Sequence, residues 1–186
     1  MPFMQCYHGL VSMDHIVSGY IRLADKEYKL DAAKCYIEKD WGVSFPKAWI
    51  WNQCNTFNQH EDLSVFASVA HIPWLGSHFI GFIAAVHYKG KIEIFATYNH
   101  SKRQTEVDGN RVTMVFTRGN KKLRIQSVKE KGADLKSPIQ GEMLSKVNES
   151  LLAKMTVEYT NGSEKIEDSG NFAGMELAGP VDILID

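Results

Sequence analysis

The chain lacks every short signature of the common catalytic centres. It has no GxGxxG, no Walker A loop, no HExxH and no GxSxG, which removes the usual nucleotide, zincin and hydrolase readings. Cysteine is scarce. Cys6, Cys35 and Cys54 are odd in number and form no CxxC pair, so no disulfide framework is expected. Reduced, partly buried thiols in a cytoplasmic protein fit better. A nucleophilic thiol needs a helix N-terminus or a basic neighbour, and Lys34 next to Cys35 points to the other face of a strand. An excess of one charge is also missing. The net charge is −1, and the runs Lys121-Lys122 and Lys129-Glu130-Lys131 read as solvated strand ends, so no nucleic-acid partner is expected. The longest apolar run, around Phe79–Val86, is too short to span a bilayer, so membrane contact is at most peripheral. Met1–Tyr7 has no leader pattern. The seven histidines form no HxH pair. Surface or core roles suit them better than a metal site, which would have to be assembled across strands. No metal or cofactor is expected.

What the chain does have is concentrated in residues 34–55. Three of the four tryptophans fall there, with two carboxylates and a Gly42–Pro46 corner. On a strand over Cys35–Trp41, Tyr36, Glu38 and Asp40 share one face, and Ile37, Lys39 and Trp41 share the other. On a strand over Ala48–Asn55, Trp49, Trp51 and Gln53 share one face, and Ile50, Asn52 and Cys54 the other. Both faces of that strand carry apolar bulk, which places it centrally in a sheet. A carboxylic acid in an apolar pocket keeps its proton at neutral pH and can act as a general acid. Aromatic faces stabilise positive charge. Together these features suit protonation of an alkene through a carbocation. The residues alone leave a second reading open: an aromatic core beside an exposed acid pair bound to Lys34, Lys39 or Lys47.

The rest of the chain reads as about a dozen short strands. Gln5–Ser12, His15–Leu23, Glu27–Leu30, Ser64–Ile72, Ser77–Tyr88, Lys91–Tyr98, Gln104–Val107, Arg111–Thr117 and Lys121–Val128 are joined by turn signals such as Asp108-Gly109. Val112, Met114 and Phe116 alternate with polar residues, so these later strands should face solvent on one side. Lys129–Pro138 reads as a loop. Glu142–Met155 is the one helical candidate, with Leu144, Val147, Leu151 and Met155 at helical spacing, although the same residues could lead straight into a strand over Lys154–Thr160. Strands over Lys165–Asp168 and Asn171–Leu177 precede an apolar tail, Val181–Ile185. The class is therefore all-β: an antiparallel barrel or sandwich in one domain over residues 1–186, with at most one short helix. A closed barrel of this size can hold one small ligand inside.

The runs Gly9–His15, Tyr36–Gly42 (Tyr-Ile-Glu-Lys-Asp-Trp-Gly) and Ser44–Trp51 (Ser-Phe-Pro-Lys-Ala-Trp-Ile-Trp) resemble the tocopherol cyclase family. So do Ile72–Gly76, Phe95–Tyr98, Pro138–Met143 and the Ala-Gly-Met-Glu-Leu run near the end. A more distant likeness links Tyr36–Gly42 to carotenoid hydratases. The resemblance is to the C-terminal half of a longer, two-part family, and it implies a lipocalin-like β architecture and no redox cofactor or metal. It also implies a hydrophobic ligand, a prenyl quinol or other isoprenoid. Asp40 or Glu38 would protonate an alkene, and a phenolic oxygen would capture the cation. Tyr36, Trp41, Trp49 and Trp51 would line the pocket, with Asn52 or Gln53 orienting a hydroxyl. The other function class is a lipocalin-like carrier or structural β domain without chemistry. Uncovered strand edges at the start of the chain call for a cover, either a missing N-terminal half or a second copy in a homodimer.

Overall fold

A computed structural model describes residues 4–186. Met1–Phe3, where the stretch without a leader pattern begins, lie outside the described residues. The protein is all-β and antiparallel. Among the described residues, twelve strands form a two-stranded hairpin and a ten-stranded sheet. The hairpin joins β1 (Cys6–Leu23) to β2 (Lys26–Gly42). The sheet contains β3 (Trp49–Cys54), β4 (Ser64–Trp74), β5 (Ser77–Tyr88), β6 (Lys91–Ala96), β7 (Lys102–Asp108), β8 (Arg111–Arg118), β9 (Lys121–Val128), β10 (Ala133–Ile139), β11 (Glu142–Asn161) and β12 (Glu164–Ala178). Its order is β6-β5-β4-β3-β12-β11-β9-β8-β7, with β10 paired to the first half of β11. As its two-sided apolar pattern implies, β3 lies inside the sheet.

The sheet curls but does not close into a barrel, because β6 and β7 remain unpaired edges. The curl brings the two ends face to face. Phe116 on β8 packs against Phe82 and Phe95, with ring centroids 5.6 and 6.5 Å apart. Glu93 on β6 accepts hydrogen bonds from Arg118 and Lys121 across the same gap. The enclosed space is filled by side chains, among them Ile50, Val65, Met114, Ile125, Met155 and Met175. The core of the curl is thus a packed interior of the kind found between two layers.

Several elements differ from the sequence expectation for one reason: strand pairing overrides local pattern. Glu142–Met155 is not a helix. It is the first part of a 20-residue strand, β11, because β10 and β12 supply its backbone partners. The expected loop at Lys129–Pro138 contains β10 for the same reason. The short strands read at either end of β1, β2 and β12 are continuous, their register shifted by bulges rather than interrupted by loops. The apolar tail forms a 3-10 turn over Val181–Leu184. Leu184 is fully buried, and Asp186 exchanges backbone and side-chain hydrogen bonds with Thr105 on β7, which covers that open edge.

The loop between β3 and β4 is held by one buried carboxylate. Asp168 on β12 accepts hydrogen bonds from the backbone N–H groups of Gln59 and His60 at 3.0 and 2.9 Å, and from His60 Nδ1 at 2.8 Å. Burial pushes the Asp168 carboxyl up, but the His60 ring and the N–H groups of Gln59, Ser169 and His60 outweigh it and hold the group below the usual range. A carboxyl with a depressed native pKa adds stability that is full above its unfolded value of about 4 and is lost as pH falls through the native value. Asp168→Ala is therefore expected to cost about 2–4 kcal/mol at pH 7. In urea titrations the gap between wild type and variant should narrow as the pH is taken below 4.

Candidate functional site

The hairpin does not join the sheet edge. It lies across the outer face of β3, β4 and β5, the side away from the packed interior. Leu10, Met13 and Tyr36 from the hairpin meet Trp51, Phe66, Ile83, Ala85 and Ile94 from the sheet. Lys34 fastens the hairpin by donating to the carbonyls of Glu61 and Leu63. The strands beneath are consequently buried on both faces, whereas β8 and β9 alternate buried and accessible positions.

Glu38 stands in this layer. Its Oε2 accepts a hydrogen bond from the Tyr36 hydroxyl at 2.5 Å and another from Trp51 Nε1 at 3.0 Å. Both bonds go to the same oxygen, Oε2. Burial raises the Glu38 pKa. Tyr36, the charge of His8 and Trp51 oppose the rise, and Asp40 adds to it, with a net upward shift. Tyr36 is pushed far up by burial and by Glu38, so it remains a donor. His8 on β1 completes the group. Its Nδ1 lies 2.7 Å from Asp40 Oδ1 and its Nε2 lies 3.9 Å from Glu38 Oε2, while its ring stacks on Phe66 at 5.0 Å. Glu38 and Asp40 therefore point the same way, as strand alternation requires. The Asp40 side chain is more open, 36% exposed against 19% for Glu38.

The other expected site residues divide between the two faces. Trp49 is on the site face and donates from Nε1 to Glu176 Oε2 at 2.6 Å. Gln53 shares that face, and its buried Nε2 has no hydrogen-bond partner. Asn52 points the opposite way, fully buried on the side of Ile50, away from Glu38. Trp41 is also apart from the group. It stacks on Tyr7 at 5.5 Å on the solvent side of the hairpin, where it is 47% exposed. Two residues of the site were missed in the sequence, His8 and Glu176. Glu176 sits directly across from Trp51 in the β12–β3 register. Burial raises its carboxyl; Trp49 opposes the rise, and Glu149, Glu38 and Asp40 add to it. The available signal was a lone acid in the apolar run Ala173–Ala178.

Among the described residues, His8, Glu38 and Asp40 place one ligand atom each within 4.8 Å of one another and could hold a cation. The present bonding commits Asp40 to the Nδ1 side of His8, which leaves Nε2 and a Glu38 oxygen for that task. Two cavities lie elsewhere. One of about 120 Å³ is lined by Tyr88, Lys91, Glu93 and Tyr159; the other is open and lies beside Gln59 and Asp168. Among the described residues no helix is long and apolar enough to cross a membrane.

Fold and site together define an open antiparallel β protein whose hairpin buries a carboxylic acid among aromatic rings. The chain belongs to the tocopherol cyclase-like family, whose model matches residues 7–179. It is 24% identical over 100 residues to a probable chloroplastic tocopherol cyclase of Oryza sativa subsp. japonica, a match covering 52% of this chain and 21% of that protein. The same figures hold for a chloroplastic tocopherol cyclase of Zea mays. The match thus spans about a fifth of the length of these relatives. No solved structure matches the chain.

Gly174 on β12 sets the position of Trp51. A Cβ at this position would lie 2.5 Å from Cη2 and 2.6 Å from Cζ3 of the Trp51 ring, so the indole rests on bare backbone. Gly174→Ala is expected to push the ring aside at a cost of about 1–3 kcal/mol. NMR should show the Trp51 indole N–H losing the shift of a carboxyl-bonded donor, with the far-UV circular dichroism retained.

Proposed function

We propose that this site binds a prenylated quinol or another isoprenoid and protonates its alkene. The carrying observation is the Glu38 carboxyl, held toward its protonated form by burial and positioned by Tyr36 and Trp51. A proton on Oε1 goes to the less substituted alkene carbon, and the tertiary cation forms beside the Trp51 ring. The phenolic oxygen of the same substrate then captures the cation and closes a ring. Gln53, with its unpaired amide donor on the same face, orients that hydroxyl. Trp49 and Glu176 extend the aromatic and acidic surface along β3 and β12. Family membership and the names of the two cereal relatives support this substrate class.

A second reading is a hydrophobic-ligand carrier or supporting β domain without turnover. The packing of Leu10, Met13 and Tyr36 of the hairpin onto Trp51, Phe66 and Ala85 of the sheet favours it. The two readings separate with Glu38→Gln and a geranylgeranyl hydroquinone as probe. Cyclisation requires the wild type to form chromanol and the variant to lose at least a hundredfold in rate, with binding of the quinol retained. Equal binding by both proteins with no product from either assigns the chain to the carrier class.

A further inference from the structure

Beside the hairpin the outer face of the sheet continues onto β12 and β11, and two β-bulges shape it. Between Ser150 and Ala153, β11 carries two residues, Leu151 and Leu152, opposite the single Gly174 of β12. Between Ala153 and Met155, β12 carries the extra residue, at Asn171 and Phe172. The flanking Ala153, Ala173 and Met175 are buried in the packed interior. Leu151, Leu152 and Phe172 are therefore left on the outer side, 62%, 53% and 69% exposed. Phe172 has a φ of 62°, a left-handed conformation that a bulky side chain rarely adopts. Single exposed apolar side chains are ordinary, but these three occupy adjoining positions on one sheet face.

Gly174 joins this strip to the site. It pairs with Gln53 on β3 and lies under the Trp51 ring, whose Nε1 donates to Glu38. From Trp51 the floor thus crosses bare backbone and reaches Leu151 and Leu152, two strand spacings or about 10 Å from β3. Polar groups rim it. Glu176 and Glu149, paired across β12 and β11, stand on one side, and Lys154 with Glu130 on the other.

We infer that this strip seats the isoprenoid tail, and that Leu151, Leu152 and Phe172 set the tail length the protein prefers. The inference rests on the isoprenoid-ligand reading above. In a prenyl quinol the alkene that closes the ring is the one nearest the quinol, so the remainder of the tail extends beyond Glu38. Toward β4 and β5 the way is closed by Leu10, Met13 and Tyr36 packed on the sheet. Toward β12 and β11 an apolar surface begins at the Trp51 ring and stays open. A tail laid there covers the three exposed side chains and gains affinity with each unit that reaches them. A dimethylallyl group ends near Trp51, whereas a geranylgeranyl tail runs the length of the strip. No bond is made or broken on it, so its effect is on binding and on the choice between ligands.

The test compares binding of dimethylallyl and geranylgeranyl hydroquinone by the full chain. Glu38→Gln is the common background, so that no ligand is consumed. Geranylgeranyl hydroquinone should bind about tenfold tighter or better. Adding Leu152→Ser and Phe172→Asn should bring the two affinities within about threefold by weakening the long ligand alone. Asparagine accepts the left-handed backbone at position 172, so this variant should fold like its parent. In methyl-labelled protein the Leu151 and Leu152 signals should shift with the long ligand and stay in place with the short one. A length preference that survives both substitutions, or an equal loss for both ligands, overturns the inference. So does a dimer in sedimentation that the two substitutions dissociate without changing the preference, since a second copy would then cover the strip. Short and long ligands bound equally well by the background protein would leave the isoprenoid reading standing and remove the strip from it. A protein that binds neither overturns the ligand reading itself, and the strip falls with it.

Discussion

Burial of the Glu38 carboxyl beneath the β1–β2 hairpin is the constraint on which the rest of the site depends. A carboxylate in an apolar layer is costly, and the cheaper solution is to keep the proton. Tyr36 and Trp51 satisfy one oxygen with two donors, which fix the group in place and offset part of the rise that burial causes. That arrangement needs Trp51 to lie flat over β12, which the bare backbone of Gly174 permits. It needs Tyr36 and Glu38 on the inner side of the hairpin, which strand alternation supplies. It also needs the hairpin pinned to the sheet, which Lys34 does through two loop carbonyls.

The same layering gives the two faces of β3 different work. Ile50, Asn52 and Cys54 belong to the interior of the curled sheet, while Trp49, Trp51 and Gln53 form the floor of the site. The expectation of a ligand held inside a barrel is thereby displaced. The interior is packed, the sheet stays open at β6 and β7, and the chemistry-bearing residues collect on the outer face. Acids converge there from three elements: Glu38 and Asp40 from the hairpin, Glu176 from β12 and Glu149 directly across from it on β11. Burial raises the Glu176 pKa, and the other three carboxyls add to the rise.

Much of this was legible in the chain. The period-two pattern of Tyr36, Glu38 and Asp40 gave their common side, and that of Trp49, Trp51 and Gln53 gave theirs, because alternation is a property of the backbone. Turn dipeptides located most of the hairpins. What stayed hidden depends on pairing at a distance. Leu144, Val147, Leu151 and Met155 have helical spacing, and only β10 and β12 decide that they lie on a strand. His8 and Glu176 carry no local signal that sets them beside Glu38, since the hairpin fold-back and the β12–β3 register bring them there. Trp41 shows the opposite error: its place in the family-like run suggested a pocket wall, while alternation had already put it on the outer face of the hairpin.

Infrared difference spectroscopy on the carboxyl C=O stretch, comparing wild type with Glu38→Gln at neutral pH, bears most directly on the account. A protonated-carboxyl band present in the wild type, absent from the variant and shifted in Trp51→Phe would establish Glu38 as a buried acid held by its indole. Identical carboxyl spectra for wild type and Glu38→Gln would mean that Glu38 is ionised at neutral pH, and the acid chemistry built on it would be contradicted.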